Sequence, residues 1–334
     1  MVGSVILFMF VVNNSWMYKS PVAKVLAVHN NGNKQSIELR LENGSDKGKT
    51  VYVKNKYDKS QVYDERYFKH DYVFLNDEYT GITGIKRDYW VAAIFLFLLS
   101  SLITIGGKRG TYTSLCILGN IAIFGIIIYM NMRGVDILYM TIAGTVVFTF
   151  FVLLVVDGLS HRMMLSFAAA LLTTLLLSSL VMLLIWHTDI DYDFLHFLPE
   201  PFTTTDANHF FLAQIIIGCL GAVIDVSVTI TAACMELIER TPNISNKSLL
   251  KSVREVADDI NGTMISVVLL TNIASTLPIF LISMSNEISF RTVVSHDAYF
   301  YIVRSLTGML SIVVAILVST FITSLVARKE LKHD

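Results

Sequence analysis

The sequence predicts a mostly α-helical, polytopic membrane protein with about eight spans and a small extracytoplasmic β domain, β-barrel or sandwich-like, placed after the first span. Three observations predict it. Of the 334 residues, 54% are hydrophobic and only 16% charged, against about 25% charged in a typical soluble domain. The apolar residues gather in runs close to the ~20 residues that cross a bilayer. One stretch, residues 19–89, lacks such runs and reads as short alternating strands.

Residues 1–18 open with the apolar run Met1–Val12 and read as an N-terminal membrane helix reaching Tyr18. The run has no basic flank and no cleavage site, which argues against a cleaved signal peptide. The missing flank also fits a chain whose start has been trimmed. In residues 19–89, Ser36–Leu41 and Lys49–Val53 alternate as half-buried strands do. Asn43-Gly44 between them predicts a type I′ hairpin turn. Tyr72–Leu75 and Gly81–Ile85 add two further strands.

Residues 90–327 form a helical transmembrane domain of about seven spans, at 91–106, 111–131, 135–156, 163–186, 210–237, 263–284 and 299–326. Trp90, Tyr139, Trp186, Tyr299 and Tyr301 fall near span ends, where aromatic rings suit the interface. Within this domain, residues 238–262 predict an amphipathic helix on the cytoplasmic membrane surface. Leu249, Leu250, Val253 and Val256 make its apolar side, with Asn243 or Ser245 as cap. Residues 328–334 are a cytoplasmic tail.

Every second loop is basic. Lys108 and Arg109, His161 and Arg162, Arg240 to Arg254, and Arg328 to Lys332 mark the cytoplasmic side. Both termini then face the cytoplasm of a bacterial plasma membrane and the β domain lies outside. The outer loop His187–Glu200 carries Asp189, Asp191 and Asp193. Its spacing approaches a calcium loop, but Phe194 stands where the sharp turn needs glycine.

Composition also excludes. A net charge of −1 gives no basic surface for nucleic acid. The chain has no glycine-rich phosphate loop, zinc-type cysteine pair, paired histidines or serine–histidine–acid set. No metal, no cofactor and no enzyme activity is expected. Cys116, Cys219 and Cys234 sit in apolar runs as small core residues.

The span 210–237 carries one carboxylate, Asp225, at its centre. A charge at mid-membrane costs roughly 2.5–3.5 kcal/mol on insertion scales. Such a group handles an ion or a proton, or holds helices together by a hydrogen bond. Side chains three and four apart share a face, so Gly218, Gly221, Ala222, Asp225, Thr229, Ala232 and Glu236 form one small, polar stripe. Small residues let helices approach closely, and the stripe is expected to pack against other helices. Asp225, Thr229 and Glu236 are the candidate proton- or ion-coupling residues, with Glu236 ~16 Å further along the helix. Gly218, Gly221, Asn272, Ser275, Asp259 and Asn261 are the supporting small or polar positions. Asn272 and Ser275 are placed to hydrogen-bond to the Asp225 helix. Pro278 frees a backbone carbonyl, and Arg304, near the start of the last span, is expected to snorkel to the interface.

Gly218–Glu236 with Asp225, then Asp259-Ile260-Asn261-Gly262-Thr263-Met264 and Leu277-Pro278, resemble the YibE/F-like family of bacterial multi-pass membrane proteins. Asn43-Gly44, Lys47-Gly48, Val51-Tyr52-Val53, Asn55 and Asp88-Tyr89 extend the resemblance to the N-terminal domain. A shorter stretch, Gly221–Ile230 followed by Glu236, is similar to the proton-carrying helix of the export subunits SecD and SecF, which belong to the resistance-nodulation-division transporters. The family resemblance implies architecture more than activity, and a sister membrane subunit or homo-oligomer as partner besides membrane lipid. The expected function is a permease that moves an unknown solute or ion, or powers export, by coupling through Asp225. The alternative is a non-transporting scaffold or accessory subunit whose β domain binds a partner.

Overall fold

The computed structural model describes residues 9, 11, 13–58, 64–187, 204–242, 244–295 and 299–330. The predicted calcium-like loop, Asn243 and the tail beyond Glu330 lie outside the described residues, as does most of the N-terminal run. The chain divides into two compact units, Met1–Ser114 and Leu115–Asp334.

The first unit contains one antiparallel sheet of β1 (Val22–Asn31), β2 (Lys34–Leu41), β3 (Thr50–Lys56), β4 (Tyr72–Leu75) and β5 (Ile82–Ile85), in the order β3-β2-β1-β4-β5. β3 and β5 are its two edges, so the described residues of the domain form a single open sheet and neither a closed barrel nor a two-sheet sandwich. Strict alternation in β2 buries Gln35, Ile37, Leu39 and Leu41 on one face. Ile37, Leu39 and Leu41 join Ala23, Val25, Val53, Val73 and Leu75 in one core.

The central strand β1 was not legible in the sequence. A register shift between Val25 and Ala27 interrupts its alternation, as a β-bulge does. The Asn43-Gly44 reading is also corrected. The tight two-residue turn is Gly32-Asn33 between β1 and β2, with Gly32 at a positive φ of 60°, the position a type II′ turn gives to glycine. Asn43 sits instead in the longer β2–β3 connection and acts as a clamp. Its Oδ1 accepts the Val22 N–H at 2.7 Å, and its Nδ2 reaches the carbonyls of Ser15, Tyr18 and Ser20, each at 3.0 Å.

A buried lysine ties this sheet to the first long helix, α1 (Asp88–Met132). Lys86 is 1% exposed. Its Nζ lies 2.9 Å from Asp88 Oδ1, donates to the Val11 carbonyl at 3.2 Å, and stands 5.7–5.8 Å from the ring centres of Tyr18, Tyr72 and Tyr89. Asp88 Oδ2 accepts from Tyr18 Oη at 2.7 Å and from Asn14 Nδ2 at 3.0 Å. Burying a lysine is tolerable only with such pairing.

α1 is broken at Gly107, whose φ of 55° and ψ of −127° leave the helical region. A Cβ at Gly110 would fall 1.8 Å from the Leu102 carbonyl oxygen, whereas in a straight helix residues eight apart are about 12 Å apart. The chain therefore turns sharply here, next to Lys108 and Arg109. Gly110→Ala meets backbone that cannot step aside and should destabilise the turn by about 1–3 kcal/mol. Gly106→Ala meets open space at an ordinary φ and serves as control. Thermal unfolding and detergent-soluble yield of the two variants, compared side by side, check this.

The second unit holds the C-terminal part of α1, then α2 (Ile137–Asp157), α3 (His161–His187), α4 (Thr204–Arg240), α5 (Asn246–Ser285), the short α6 (Phe290–Ser295) and α7 (Tyr299–Glu330). Six of the helices α1 to α7 are long and apolar enough to cross a membrane, with α6 the exception. α4 is the central one, packed most extensively on α7 and α3. Two glycines seat α1 on α2. A Cβ on Gly119 would meet the Phe151 ring at 2.2 Å and one on Gly144 would meet Ile127 Cδ1 at 2.5 Å.

The amphipathic segment is not a separate surface helix. Ser245 caps α5 by accepting the Ser248 N–H at 3.1 Å, and α5 then runs unbroken through residue 262 and through Pro278 to Ser285. Leu249, Val253 and Ala257 are buried in the core that contains Val226, Ile230 and Ile238 of α4. The change in composition at residue 262 marks a change of surroundings along one helix.

Candidate functional site

α4 carries two faces of opposite character. Ile216, Leu220, Val223, Ser227, Ile230 and Cys234 are buried. The stripe of Gly218, Gly221, Asp225 and Glu236 is exposed, with Ala222, Thr229 and Ala232 partly so. Within this chain the stripe is packed only in part: Ala222 lies against the core and Gly218 beside the Arg304 stem. Around Gly221 and Asp225 the small residues leave room.

That room is divided into three cavities that follow one another along the stripe. The first, of about 500 Å³, lies beside Gln214, Ile217 and Gly218 and is closed by Phe124, Ile127 and Asn131 of α1, Ile137 and Thr141 of α2, and Phe300 and Arg304 of α7. The second, of about 400 Å³, shares Ile217 and contains Gly221, Asp225 and Val228, facing Asn120 of α1 and Phe148, Val152 and Val156 of α2. The third, of about 660 Å³, is polar. Ala232, Met235, Glu236, Glu239 and Arg240 face Asp157, Ser160, His161 and Arg162 there. Residues from 214 to 239 thus reach all three from one side of α4, as their 3–4 spacing requires.

Asp225 occupies the middle cavity. Its backbone carbonyl accepts from Thr229 Oγ1 at 2.9 Å. Among the described residues no hydrogen bond or ion pair reaches the Asp225 carboxylate. Thr229 is therefore turned back onto its own helix. Glu236 is exposed in the third cavity and pairs with Arg240 at 2.5 Å. Across it, Asp157 pairs with Arg162 at 2.5 Å, and its other oxygen, Oδ2, is buried with no partner.

The supporting residues of α5 do not join this site. Asn272 Oδ1 accepts from Arg304 Nε at 2.8 Å, and Asn272 Nδ2 donates to the Val268 carbonyl. Ser275 Oγ donates to the Thr271 carbonyl. Neither bonds to α4, as the sequence had suggested. Asp259 is exposed, and Asn261 Oδ1 is buried without a partner. Both lie outside the cavity that holds Asp225. Arg304 is also corrected. It is partly buried, turned inward to Asn272 and stacked 5.4 Å from the Tyr301 ring centre, with its stem 3.8 Å from where a Gly218 Cβ would be.

One residue away from the cavity-lining Ile137 and Phe210, an acid and an imidazole meet. His209 Nδ1 lies 2.6 Å from Asp136 Oδ2, while Asp136 Oδ1 caps α2 by accepting the Leu138 N–H at 2.7 Å. Burial alone would raise the Asp136 carboxyl, but the bonds from His209 and Leu138 outweigh it and hold the pKa below the usual value. Asp136→Ala should cost about 1–2 kcal/mol near neutral pH, as losing an N-cap does. A depressed carboxylate adds stability above its unfolded pKa and loses it as pH falls through the lowered folded value. The gap between wild type and variant in thermal unfolding should therefore close below about pH 4.

Three cavity residues escaped the sequence reading. Asn120, mid-way along the second half of α1, faces the Asp225 cavity with its Oδ1 buried and unpartnered. A lone amide in an apolar run was the available signal. Thr141 and Gln214 carried weaker signals, being common in membrane helices. No group of three or more His, Cys, Asp or Glu is placed to hold a metal ion among the described residues.

Two family comparisons match. The family described as YibE/F-like protein matches residues 93–329, and the YibE/F family N-terminal domain matches residues 16–87. No curated protein and no solved structure matches the chain at a significant level.

Proposed function

This chain belongs to the YibE/F-like family, and from that premise we propose that it is a permease of the bacterial plasma membrane, coupled to a proton or cation through Asp225. One observation carries the reading: three cavities succeed one another along a single face of the central helix, with an unpaired carboxylate in the middle one. An ionisable group in a membrane helix is expensive and is kept for a task.

The loop charges orient the chain. The basic connections at Lys108-Arg109, His161-Arg162 and Arg240–Arg254 face the cytoplasm, which puts the β domain and the His209–Asp136 pair outside and Glu236 inside. The break at Gly107 supports counting α1 as two spans, and adding the N-terminal run read from the sequence gives the eight crossings of this proposal. A cation arriving from outside passes the first cavity and neutralises Asp225. It leaves through the third, where Glu236 and Asp157 accept it. A sister subunit, or a second copy, and lipid complete the open sides of the cavities.

Carboxyl infrared difference spectra of the purified full chain, set against Asp225→Asn, test the coupling. An Asp225-dependent band should switch between carboxylate and carboxylic acid as pH is varied. A band that stays in one form at every pH at which the protein is folded would overturn the proposal.

A further inference from the structure

The first cavity, which the coupling reading treats only as a passage, also holds the components of a ligand site. We propose that it binds a small apolar monocarboxylate, with Arg304 taking the carboxylate. The inference rests on the permease reading for its biological sense, since it names the class of solute, but its geometry stands apart from Asp225.

Arg304 is a membrane-helix cation with no acid partner among the described residues. Its Nε is committed to Asn272 Oδ1, whose amide is fixed in turn by the Val268 carbonyl, and its plane rests near Tyr301. The two terminal nitrogens have no acceptor among the described residues. A guanidinium held at one edge and offering a free fork is arranged for two parallel bonds to a planar carboxylate.

A second observation points the same way. Thr141 is fully buried, yet its Oγ1 has no hydrogen-bond partner, and it lines this same cavity. A buried hydroxyl left unpaired costs free energy, and a ligand oxygen removes that cost. Gln214 adds an amide to the same wall.

The remaining walls define the body of the ligand. Phe124, Ile127, Phe211, Ile217 and Phe300 are apolar, and about 500 Å³ is available, within the roughly 300–1,000 Å³ of small-molecule sites. Among the described residues no acid lines the cavity and Arg304 is its one cation. One charge fits one carboxylate, and a phosphate dianion would need a second cation. Two sources share this chemistry: a water-borne aromatic or branched carboxylate, and a fatty acid from the bilayer.

The test uses the purified full chain in nanodiscs, with equilibrium binding of 4-phenylbutyrate, its uncharged amide and decanoate. Saturable binding of either carboxylate, with the amide at least tenfold weaker, is expected. Phenylbutyrate alone identifies the aqueous source and decanoate alone the bilayer. Arg304→Met should weaken binding at least tenfold. Thr141→Val keeps the shape, removes a hydroxyl that has no partner among the described residues, and should weaken binding several-fold while folding normally. The proposal falls if acid and amide bind alike, if neither carboxylate binds, or if both Arg304→Met and Thr141→Val bind as wild type does. Failure of the coupling reading would instead show as an inert Asp225 band beside intact carboxylate binding.

Discussion

Asp225→Asn should abolish coupled flux and leave the protein as stable as before, or more so. In sealed vesicles with an imposed pH gradient, supplied with low-molecular-mass cell solutes, proton entry through wild type should fall about 100-fold or more in the variant, the scale on which losing a proton-transferring side chain acts. The stability half follows from the geometry. The carboxylate makes no hydrogen bond among the described residues, so Asn loses none. It also removes an ionisable group from mid-helix, a position that membrane helices disfavour for such groups. A purely structural Asp225 predicts the opposite pair of results, with flux unchanged and unfolding at lower temperature. Measuring both quantities on one preparation separates the two, and a variant that is less stable but equally active would sink the coupling reading.

Lys86→Met should be the most damaging substitution in the N-terminal unit, at about 3–5 kcal/mol, because it removes one partner of a buried ion pair. Asp88 would keep Tyr18 and Asn14 but lose its only cation among the described residues, and the three tyrosine rings would lose the charge they surround. Replacing both partners, as Lys86→Met with Asp88→Leu, should recover much of the loss, since an apolar pair of similar volume is often no worse than a buried ion pair. Amide hydrogen exchange of β1, β4 and the start of α1 in the full chain would read both outcomes. Unchanged protection in Lys86→Met would show that the aromatic cage, and not the charge, holds the junction.

Length and hydropathy made the membrane helices legible, because a span needs nothing else. Strand β2 was equally plain, since Ile37, Leu39 and Leu41 alternate without interruption. β1 was hidden by its bulge. Asn43-Gly44 has the composition of a turn, but Asn43 spends its amide on four distant backbone groups, which no local pattern reveals. The stripe around Asp225 was legible only in part, for a different reason. Gly218 and Gly221 are equally consistent with a close helix contact and with an empty groove, and only the positions of α1 and α2 decide between them. Arg304 and Asn272 stand 32 residues apart on separate helices, so their pairing had no sequence signature.

α5 can be seen as a machine part. Its length of 40 residues corresponds to about 60 Å, roughly twice the hydrocarbon thickness of a bilayer. The Leu249–Ala257 end is lodged in the core, while Asn272, ~39 Å from the first residue of the helix, grips Arg304 at the first cavity. Pro278, the weak point of the rod, lies beyond that grip. A tilt of the polar end by about 5° would therefore swing Asn272 by about 3 Å over that length, with no joint in between to absorb it. The helix acts in one piece, so that movement at residues 246–262 is carried to the Asn272–Arg304 bond.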